Sequence, residues 1–187
     1  LDAFGADRAI AGNHDRAIGA ERVQMNSLAG SAIEWTAGQL DAAASGFLAD
    51  LPLTLEEEDR LYVHADASAP ERWIYVDEPT SAAASLAATR QRVTFCGHVH
   101  VPMLYGITAT QKLLNFSPVE ASAIPLLRQR RWLAVVGSVG QPRDRNPAAA
   151  YAIYDTATCD FTALRVPYDA ATAAEKIRKA GLPEALA

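Results

Sequence analysis

The four histidines of this chain all fall within three short polar motifs, each of which follows an apolar, strand-like run. Histidine is the commonest metal ligand, and it is the side chain best placed to exchange a proton near neutral pH. This concentration predicts a metal site with acid–base chemistry. The three motifs are Gly12-Asn13-His14-Asp15, Val63-His64-Ala65 and Gly97-His98-Val99-His100.

The closest pair of histidines is His98 and His100. In an extended segment, side chains at positions i and i+2 point to the same face, about 6–7 Å apart at their backbones. The two imidazoles could therefore enter one cavity, where two metals about 3.5–4 Å apart could each take one of them. An isolated His-x-His is more often a strand end that faces solvent, so this pair alone is weak evidence.

The first motif combines three side chains with different chemical abilities. Asn13 offers a neutral oxygen ligand, His14 can donate a proton to a leaving group, and Asp15 can hold that imidazole in orientation. The plain alternative is a Gly-Asn turn with an exposed histidine. His64, taken singly, is also more often a hydrogen-bonded residue at a strand end than a ligand. The joint occurrence of the three motifs favours the functional interpretation.

Composition limits the possible functions. The 187 residues, 50% of them hydrophobic, are enough for one globular domain with its own core. The net charge of −5 and the lack of a basic stripe argue against nucleic-acid binding. No apolar stretch reaches the roughly 20 residues that cross a bilayer, so no membrane partner is expected. Cys96 and Cys159 are predicted to be buried thiols, which fits a cytoplasmic location.

The first half of the chain alternates strand-like runs with helical patterns, and a long loop is predicted over 65–79. Its predicted strands are 8–11, 60–64 and 92–96, and its predicted helices are 31–50 and 81–90. After residue 101, strand patterns follow one another as a meander, before an amphipathic helix over 170–180. The later strands are predicted at 102–107, 111–117, 132–137, 149–155 and 160–166.

This order of elements predicts an α/β sandwich, in which mixed sheets are covered by helices. In such folds, ligands bind at polar loops that follow the carboxyl ends of strands. All three histidine motifs occupy positions of that kind.

Taken in order, the Gly-Asn-His-Asp, Val-His and Gly-His-x-His-x-Pro motifs resemble those of the calcineurin-like metallophosphoesterase superfamily. The later run Gly137-Ser138-Val139-Gly140-Gln141-Pro142-Arg143 resembles a loop of its small bacterial phosphoesterase branch. Together these motifs span most of the chain. The resemblance implies a sandwich of mixed β-sheets flanked by helices, formed as a single domain over residues 1–187.

The resemblance also implies roles for individual residues. Asn13, His64 and His98 would bind one metal, and His100 would bind a second. His14 would be the general acid, with Asp15 behind it. The implied reaction is hydrolysis of a small phosphate ester by a metal-bound hydroxide at a binuclear site.

A mixed nitrogen and oxygen ligand set favours Mn²⁺, Fe or Zn²⁺ over Mg²⁺. Arg16, Arg72 and Arg143 could each orient a phosphate by forked hydrogen bonds, although a solvated surface position is the plainer interpretation of each. Only Arg143 is kept as a candidate for substrate binding.

Two family motifs, Asp-x-His and Gly-Asp, should precede Gly12 by several tens of residues, and neither lies ahead of it in this sequence. These motifs normally supply the carboxylate that bridges both metals. We therefore expect an N-terminally incomplete domain that lacks its first strands and holds only part of the site. Such a chain should bind metal weakly and show poor or absent catalysis alone. If Leu1 were a true start, an exposed sheet edge or a partner chain would be expected, and a homo-oligomer is one such arrangement. A longer protein of which this sequence is a part is the simpler explanation.

The sequence thus predicts a metal-dependent phosphoesterase that acts on a phosphodiester or a phosphomonoester. The alternative is a non-catalytic scaffold or interaction protein on the same fold, which the missing aspartates favour and the intact Asn13-His14 pair opposes. A third possibility, an unrelated metal- or nucleotide-binding module, would have to explain the Gly137–Arg143 loop independently. The chain carries no Gly-x-x-x-x-Gly-Lys phosphate cradle to support that possibility.

Overall fold

The structure, a computed structural model, describes residues 8–19 and 25–187. The chain divides into two compact units, one of residues 1–53 together with 169–187, and the other of residues 54–168. None of the described helices combines the length and the hydropathy that a bilayer-crossing segment requires.

The described helices and strands follow the predicted alternation only in part. The α-helices are α1 (Asn13–Gly19), α2 (Ser27–Ala37), α3 (Ala42–Asp50), α4 (Pro79–Ala88) and α5 (Ala170–Lys179). The strands are β1 (Thr54–Glu57), β2 (Arg60–Val63), β3 (Val93–Cys96), β4 (Met103–Thr108), β5 (Leu113–Phe116), β6 (Ala123–Pro125), β7 (Arg130–Val135), β8 (Ala149–Asp155) and β9 (Asp160–Val166). Single 3₁₀ turns span Pro70–Arg72 and Glu184–Leu186.

Every regular element among the described residues of the first unit is a helix, and side-chain caps set where α2 and α3 begin. The Asp41 carboxylate accepts the Ala44 N–H at 2.7 Å, and Asn26 caps α2 in the same way. Such a cap satisfies a backbone donor that the first turn of a helix leaves open. The predicted continuous helix over 31–50 is therefore wrong, because the chain turns at Gly38 and restarts at the Asp41 cap.

The predicted strand over 8–11 is also wrong, since the described residues 8–12 form neither helix nor strand. The Ala11 N–H donates to the Pro52 carbonyl at 2.8 Å. That is a single backbone contact and not the repeated ladder that defines a strand. Helix α1 begins directly afterwards at Asn13.

The second unit holds two sheets, one six-stranded in the order β1-β2-β3-β7-β4-β5 and one three-stranded in the order β6-β9-β8. Strands β2, β3 and β7 run parallel, and the other pairs are antiparallel. The meander predicted after residue 101 is wrong, because β7 pairs with β4 and not with its sequence neighbours, while β6, β8 and β9 form a separate sheet. The sequence patterns also missed β1, which is short and acidic, and β6, which has three residues and ends in proline.

Successive residues of the six-stranded sheet point alternately into two cores, as the strand period of two requires. On one face, Val93 and Phe95 of β3 share a buried cluster with Phe161 of β9. On the opposite face, Cys96 shares a second cluster with Leu86 of α4. The sheet is thus covered by the three-stranded sheet on one side and by α4 on the other, which confirms the predicted α/β fold with a mixed sheet.

The three parallel strands determine where the polar motifs lie. Because β2, β3 and β7 run in the same direction as neighbours, their carboxyl ends meet at one edge of the sheet. His64 follows β2, Gly97-His98 follows β3, and Gly137 comes soon after β7. Ligand sites of α/β sheets lie at such edges.

Candidate metal and phosphate site

His64 and His98 are the best-defined pair of candidate ligands in the second unit. The Gly97 N–H donates to the His64 carbonyl at 3.0 Å, which continues the contact between β2 and β3 one step beyond the strands. The imidazoles then face each other, with His64 Nε2 and His98 Nδ1 3.1 Å apart. Two residues 34 positions apart in sequence are therefore brought together by parallel strand pairing.

The spacing of this pair fits two ligands of one metal ion. Imidazole nitrogens bind zinc at about 2.0–2.1 Å, so two of them at tetrahedral or right angles lie roughly 2.8–3.4 Å apart. The observed 3.1 Å falls within that range. A hydrogen bond with the Trp73 backbone also engages the His98 ring, and such a contact orients an imidazole for binding through its other nitrogen.

Burial sets the protonation state of His98. His98 is a buried residue, and its burial lowers the pKa of the imidazole to about 4. The nearby His64, Arg143 and His100 lower this pKa further by charge repulsion. The imidazole is therefore neutral at physiological pH. A neutral imidazole is the form that binds a metal.

His98 occupies a left-handed backbone conformation with φ of 62°. The Val99 N–H donates to the Gly97 carbonyl at 2.7 Å, so His98 stands at the centre of a γ-turn of the rare, strained type. His100 has φ of 65°. The prediction that these two histidines lie on an extended segment with side chains on one face is therefore wrong. Strain of this kind is concentrated at functional sites.

His100 is held by the Gly137–Arg143 loop. Its Nδ1 lies 2.9 Å from the Gln141 carbonyl, so Nδ1 carries the proton and donates. The Arg143 N–H in turn donates to the His100 carbonyl at 3.3 Å. This arrangement leaves His100 Nε2 as the nitrogen with a lone pair for a ligand.

His100 does not join His64 and His98 as a third ligand of one ion. Among residues 8–19 and 25–187, no group of three or more His, Cys, Asp and Glu side chains could hold a metal. The imidazole pair fits an ion but does not complete its coordination, and His100 is left for a separate role.

Aromatic side chains of the 65–79 loop surround the imidazole pair, and sequence reasoning missed them. The Tyr75 ring stacks on His98 with centroids 4.1 Å apart, and Trp73 meets His64 edge-on at 5.9 Å. The Arg143 guanidinium lies over the Tyr75 ring at 5.5 Å. Two aromatic residues in the loop directly after His64 were the available signal.

Asp66 is a buried carboxylate close to His64 in sequence, and its contacts are structural. It accepts the Ser68 N–H at 3.2 Å and also the Ser68 hydroxyl. By accepting both hydrogen bonds from Ser68, the Asp66 carboxylate closes a local turn. Asp66 is therefore not a candidate metal ligand.

The Asn13-His14-Asp15 segment lies in the first unit, at the start of α1. His14 is exposed and Asn13 is half-buried. The Asp15 carboxylate accepts the Gly12 N–H at 2.7 Å, which is the return half of a capping box. Asp15 therefore has a structural role in starting α1, and its catalytic role stays a prediction.

The three arginines considered for phosphate binding have different surroundings. Arg16 donates to the Ala49 carbonyl at 2.7 Å and to the Leu51 carbonyl at 2.9 Å, so it closes the end of α3. Arg72 is exposed on the 3₁₀ turn. Arg143 is exposed and lies beside the imidazole pair through its contact with Tyr75.

Residues 1–159 match the family model described as the calcineurin-like phosphoesterase superfamily domain. This chain belongs to that family. The resemblance carried by the histidine motifs is therefore confirmed, and family membership supports phosphoester hydrolysis in general.

Three similar proteins each match more than nine-tenths of this chain. The chain is 32% identical to a metallophosphoesterase from Sphaerobacter thermophilus over 95% of this chain and 73% of that one, with a TM-score of 0.81. It is also 32% identical to the uncharacterized protein MJ0912 of Methanocaldococcus jannaschii, over 94% of this chain and 71% of the relative. The hypothetical protein PH1004 of Pyrococcus horikoshii, 20% identical over 98% of this chain and 72% of that one, shares the fold with a TM-score of 0.72.

Proposed function

We propose that this chain serves the metal-dependent hydrolysis of small phosphate esters, either diesters or monoesters, at a binuclear site to which it contributes part of the ligand set. The observation that carries the proposal is the His64–His98 pair, whose facing nitrogens are 3.1 Å apart in a family of phosphoesterases. His98 is buried, neutral and in a left-handed backbone conformation, and these features suit a metal ligand.

In this proposal His64 and His98 hold one divalent ion, and the motif resemblance adds Asn13 to the same ligand set. His100 binds the second ion through Nε2. Imidazole and amide oxygen donors favour Mn²⁺, Fe or Zn²⁺. When bound, such ions lower the pKa of water and neutralise phosphoryl oxygens.

The chain itself contributes the placement of these ligands. The Gly97 N–H holds the His64 backbone, the Trp73 backbone holds the His98 ring, and the Gln141 carbonyl holds His100 Nδ1. Contacts of this type fix the tautomer and the ring orientation before a metal arrives.

The remaining two roles concern the substrate. Arg143 binds phosphoryl oxygens through its planar fork of N–H donors, which matches a phosphate in shape and charge. His14 donates a proton to the leaving alkoxide, because an alkoxide is too basic to depart unprotonated. Asp15 supports His14 in this proposal.

The test is Mn²⁺ binding and Mn²⁺-stimulated hydrolysis of bis(p-nitrophenyl) phosphate by the wild-type chain and by His98→Ala. Loss of a direct ligand should weaken Mn²⁺ binding by more than about 100-fold, since even a residue that only orients a ligand contributes 10–100-fold. Hydrolysis should be lost in parallel. Titration calorimetry measures the affinity, and a chromogenic assay measures the rate.

Gln111→Ala is the matched control, because Gln111 also has a left-handed backbone, with φ of 61°, in the turn between β4 and β5. It should leave both quantities unchanged. Unchanged Mn²⁺ affinity in His98→Ala would reject the metal assignment and favour the scaffold alternative. A thermal melt of each variant confirms that the comparison is made on folded protein.

A further inference from the structure

Tyr75 makes contact with two residues that the proposed function uses for different purposes. Its ring is parallel to the His98 imidazole within 17°, at a centroid distance of 4.1 Å. The Arg143 guanidinium lies over the same ring at 5.5 Å. One aromatic side chain thus contacts both a candidate metal ligand and the candidate phosphate-binding residue.

The guanidinium of Arg143 is available for an anion. Among the described residues it forms no ion pair, whereas Arg165 is paired with Asp144 and Arg92 with Asp59. Cation–π attraction by Tyr75 restrains the side chain without using its N–H donors. A phosphate therefore meets an arginine that is held in place and still has its fork of donors open.

The backbone around Tyr75 is anchored, so the ring does not depend on the substrate for its position. The Asp66 N–H donates to the Ile74 carbonyl at 3.2 Å. The next residue, Val76, is 1% exposed and belongs to the core cluster beneath α4. Tyr75 itself is 41% exposed, so removing its ring should leave the fold intact.

We propose that Tyr75 is a positioning residue for phosphate recognition, acting by holding the Arg143 guanidinium beside the His64–His98 pair. This inference rests on the proposed function and deepens it. The anion recognised is the phosphoryl group itself, so the effect extends to inorganic phosphate as product. A pre-placed arginine loses less conformational entropy on binding, which is where the gain in affinity arises.

The test is a double-mutant cycle on inorganic phosphate binding to the Mn²⁺-loaded protein, measured by calorimetry. Tyr75→Ala should weaken phosphate binding roughly two- to fivefold, the equivalent of an exposed cation–π contact. Tyr75→Phe keeps the ring and should bind like the wild type. In Tyr75→Ala combined with Arg143→Ala, binding should be no weaker than in Arg143→Ala alone, because Tyr75 acts through Arg143.

The kinetic signature is a rise in KM for bis(p-nitrophenyl) phosphate at nearly constant kcat, as expected when ground-state and transition-state binding fall together. Ile74→Ala is the control, because Ile74 is an adjacent side chain of similar exposure, 38%. It should change neither KM nor phosphate affinity. Additive losses in the double variant, or equal losses in Tyr75→Phe, would overturn the proposal.

Proton NMR on the metal-free protein separates this inference from the proposed function. The Tyr75 ring should shift the Arg143 side-chain resonances upfield, and that shift should vanish in Tyr75→Ala and persist in Tyr75→Phe. Wild-type protein that shows this shift but hydrolyses no ester would count against the proposed function and not against the contact. Absence of the shift in the wild type would refute the positioning role directly.

Discussion

Gly137 is the position where one added methyl group should damage the site most. It follows β7 and opens the loop that carries Gln141 and Arg143. Its φ is +87°, and a Cβ atom built there would lie 2.8 Å from Ala150 Cβ and 2.9 Å from Pro102 Cγ. Alanine at this position therefore meets both a disfavoured backbone conformation and two neighbours that are too close.

The two costs can be estimated separately. An L-residue in a left-handed conformation costs roughly 1–2 kcal/mol. Overpacking a filled interior by one methyl group costs about 1–3 kcal/mol. We therefore expect Gly137→Ala to lower the free energy of unfolding by about 2–5 kcal/mol, and at roughly 2–4 °C per kcal/mol this corresponds to a Tm decrease of about 4–20 °C.

The assay is urea unfolding followed by tryptophan fluorescence, together with Mn²⁺-stimulated hydrolysis at a temperature where the variant is folded. Gly140→Ala is the matched control, since Gly140 lies in the same loop and a Cβ there would meet nothing within 4 Å. It should be neutral in stability. If Gly137→Ala and Gly140→Ala unfold at the same urea concentration, the steric reasoning is refuted.

Activity should follow stability for a structural reason. The Ser138 carbonyl accepts the Ala150 N–H at 2.8 Å, and the Gln141 carbonyl contacts His100. A shift of the chain at Gly137 is transmitted to both contacts. Even the folded fraction of Gly137→Ala should therefore hydrolyse ester more slowly than the control.

Two other predictions concern His14 and Cys96. Substitution of His14 by alanine should reduce the turnover of alkyl phosphate esters by about 10²–10⁴-fold. It should leave the turnover of nitrophenyl esters unchanged, because their leaving group departs without a proton. Equal losses on both substrates would reject the role of His14 as general acid. Burial, with a smaller contribution from the Asp66 charge, raises the pKa of Cys96 to about 12. The raised pKa leaves roughly one Cys96 side chain in ten thousand as the reactive thiolate at pH 8, so iodoacetamide should label Cys96 only after unfolding. Peptide mass spectrometry measures the labelling. Labelling of the native protein at the rate of a free thiol would contradict this prediction.

The strands that were predicted well are those whose own residues specify them. Strands β2 and β3 are short apolar runs buried in the sheet, and their observed bounds differ from the predicted ones by a single residue at each shifted end. Strand β1 has the sequence Thr-Leu-Glu-Glu, and its pairing with β2 is what makes it a strand. A local pattern cannot report a partner elsewhere in the chain.

The helices also divide into those specified by their own residues and those that depend on the rest of the chain. Helix α4 was predicted within two residues from its alanine-rich sequence, which is a local signal. Pro79 was assigned to the preceding loop, although proline is a common first residue of a helix. The break between α2 and α3 was missed, although Asp41 is a good N-cap residue, because the apolar spacing runs across it. At Asp41 the chain can either continue the helix or start a new one, with the aspartate side chain accepting a backbone N–H. The conformation of the backbone decides between these two arrangements, and the apolar spacing does not report it.

By itself, the sequence determined the family and the candidate ligands, since the order of the histidine motifs and the Gly137–Arg143 loop are local features. Only the tertiary structure decided that His64 and His98 face each other at 3.1 Å, that His98 adopts a strained turn, and that Tyr75 contacts Arg143. For the two side-chain contacts, the physical reason is the sequence distance between the partners. Their contact depends on the parallel pairing of β2 with β3 and on the insertion of β7 beside them, and no local residue pattern encodes that strand order.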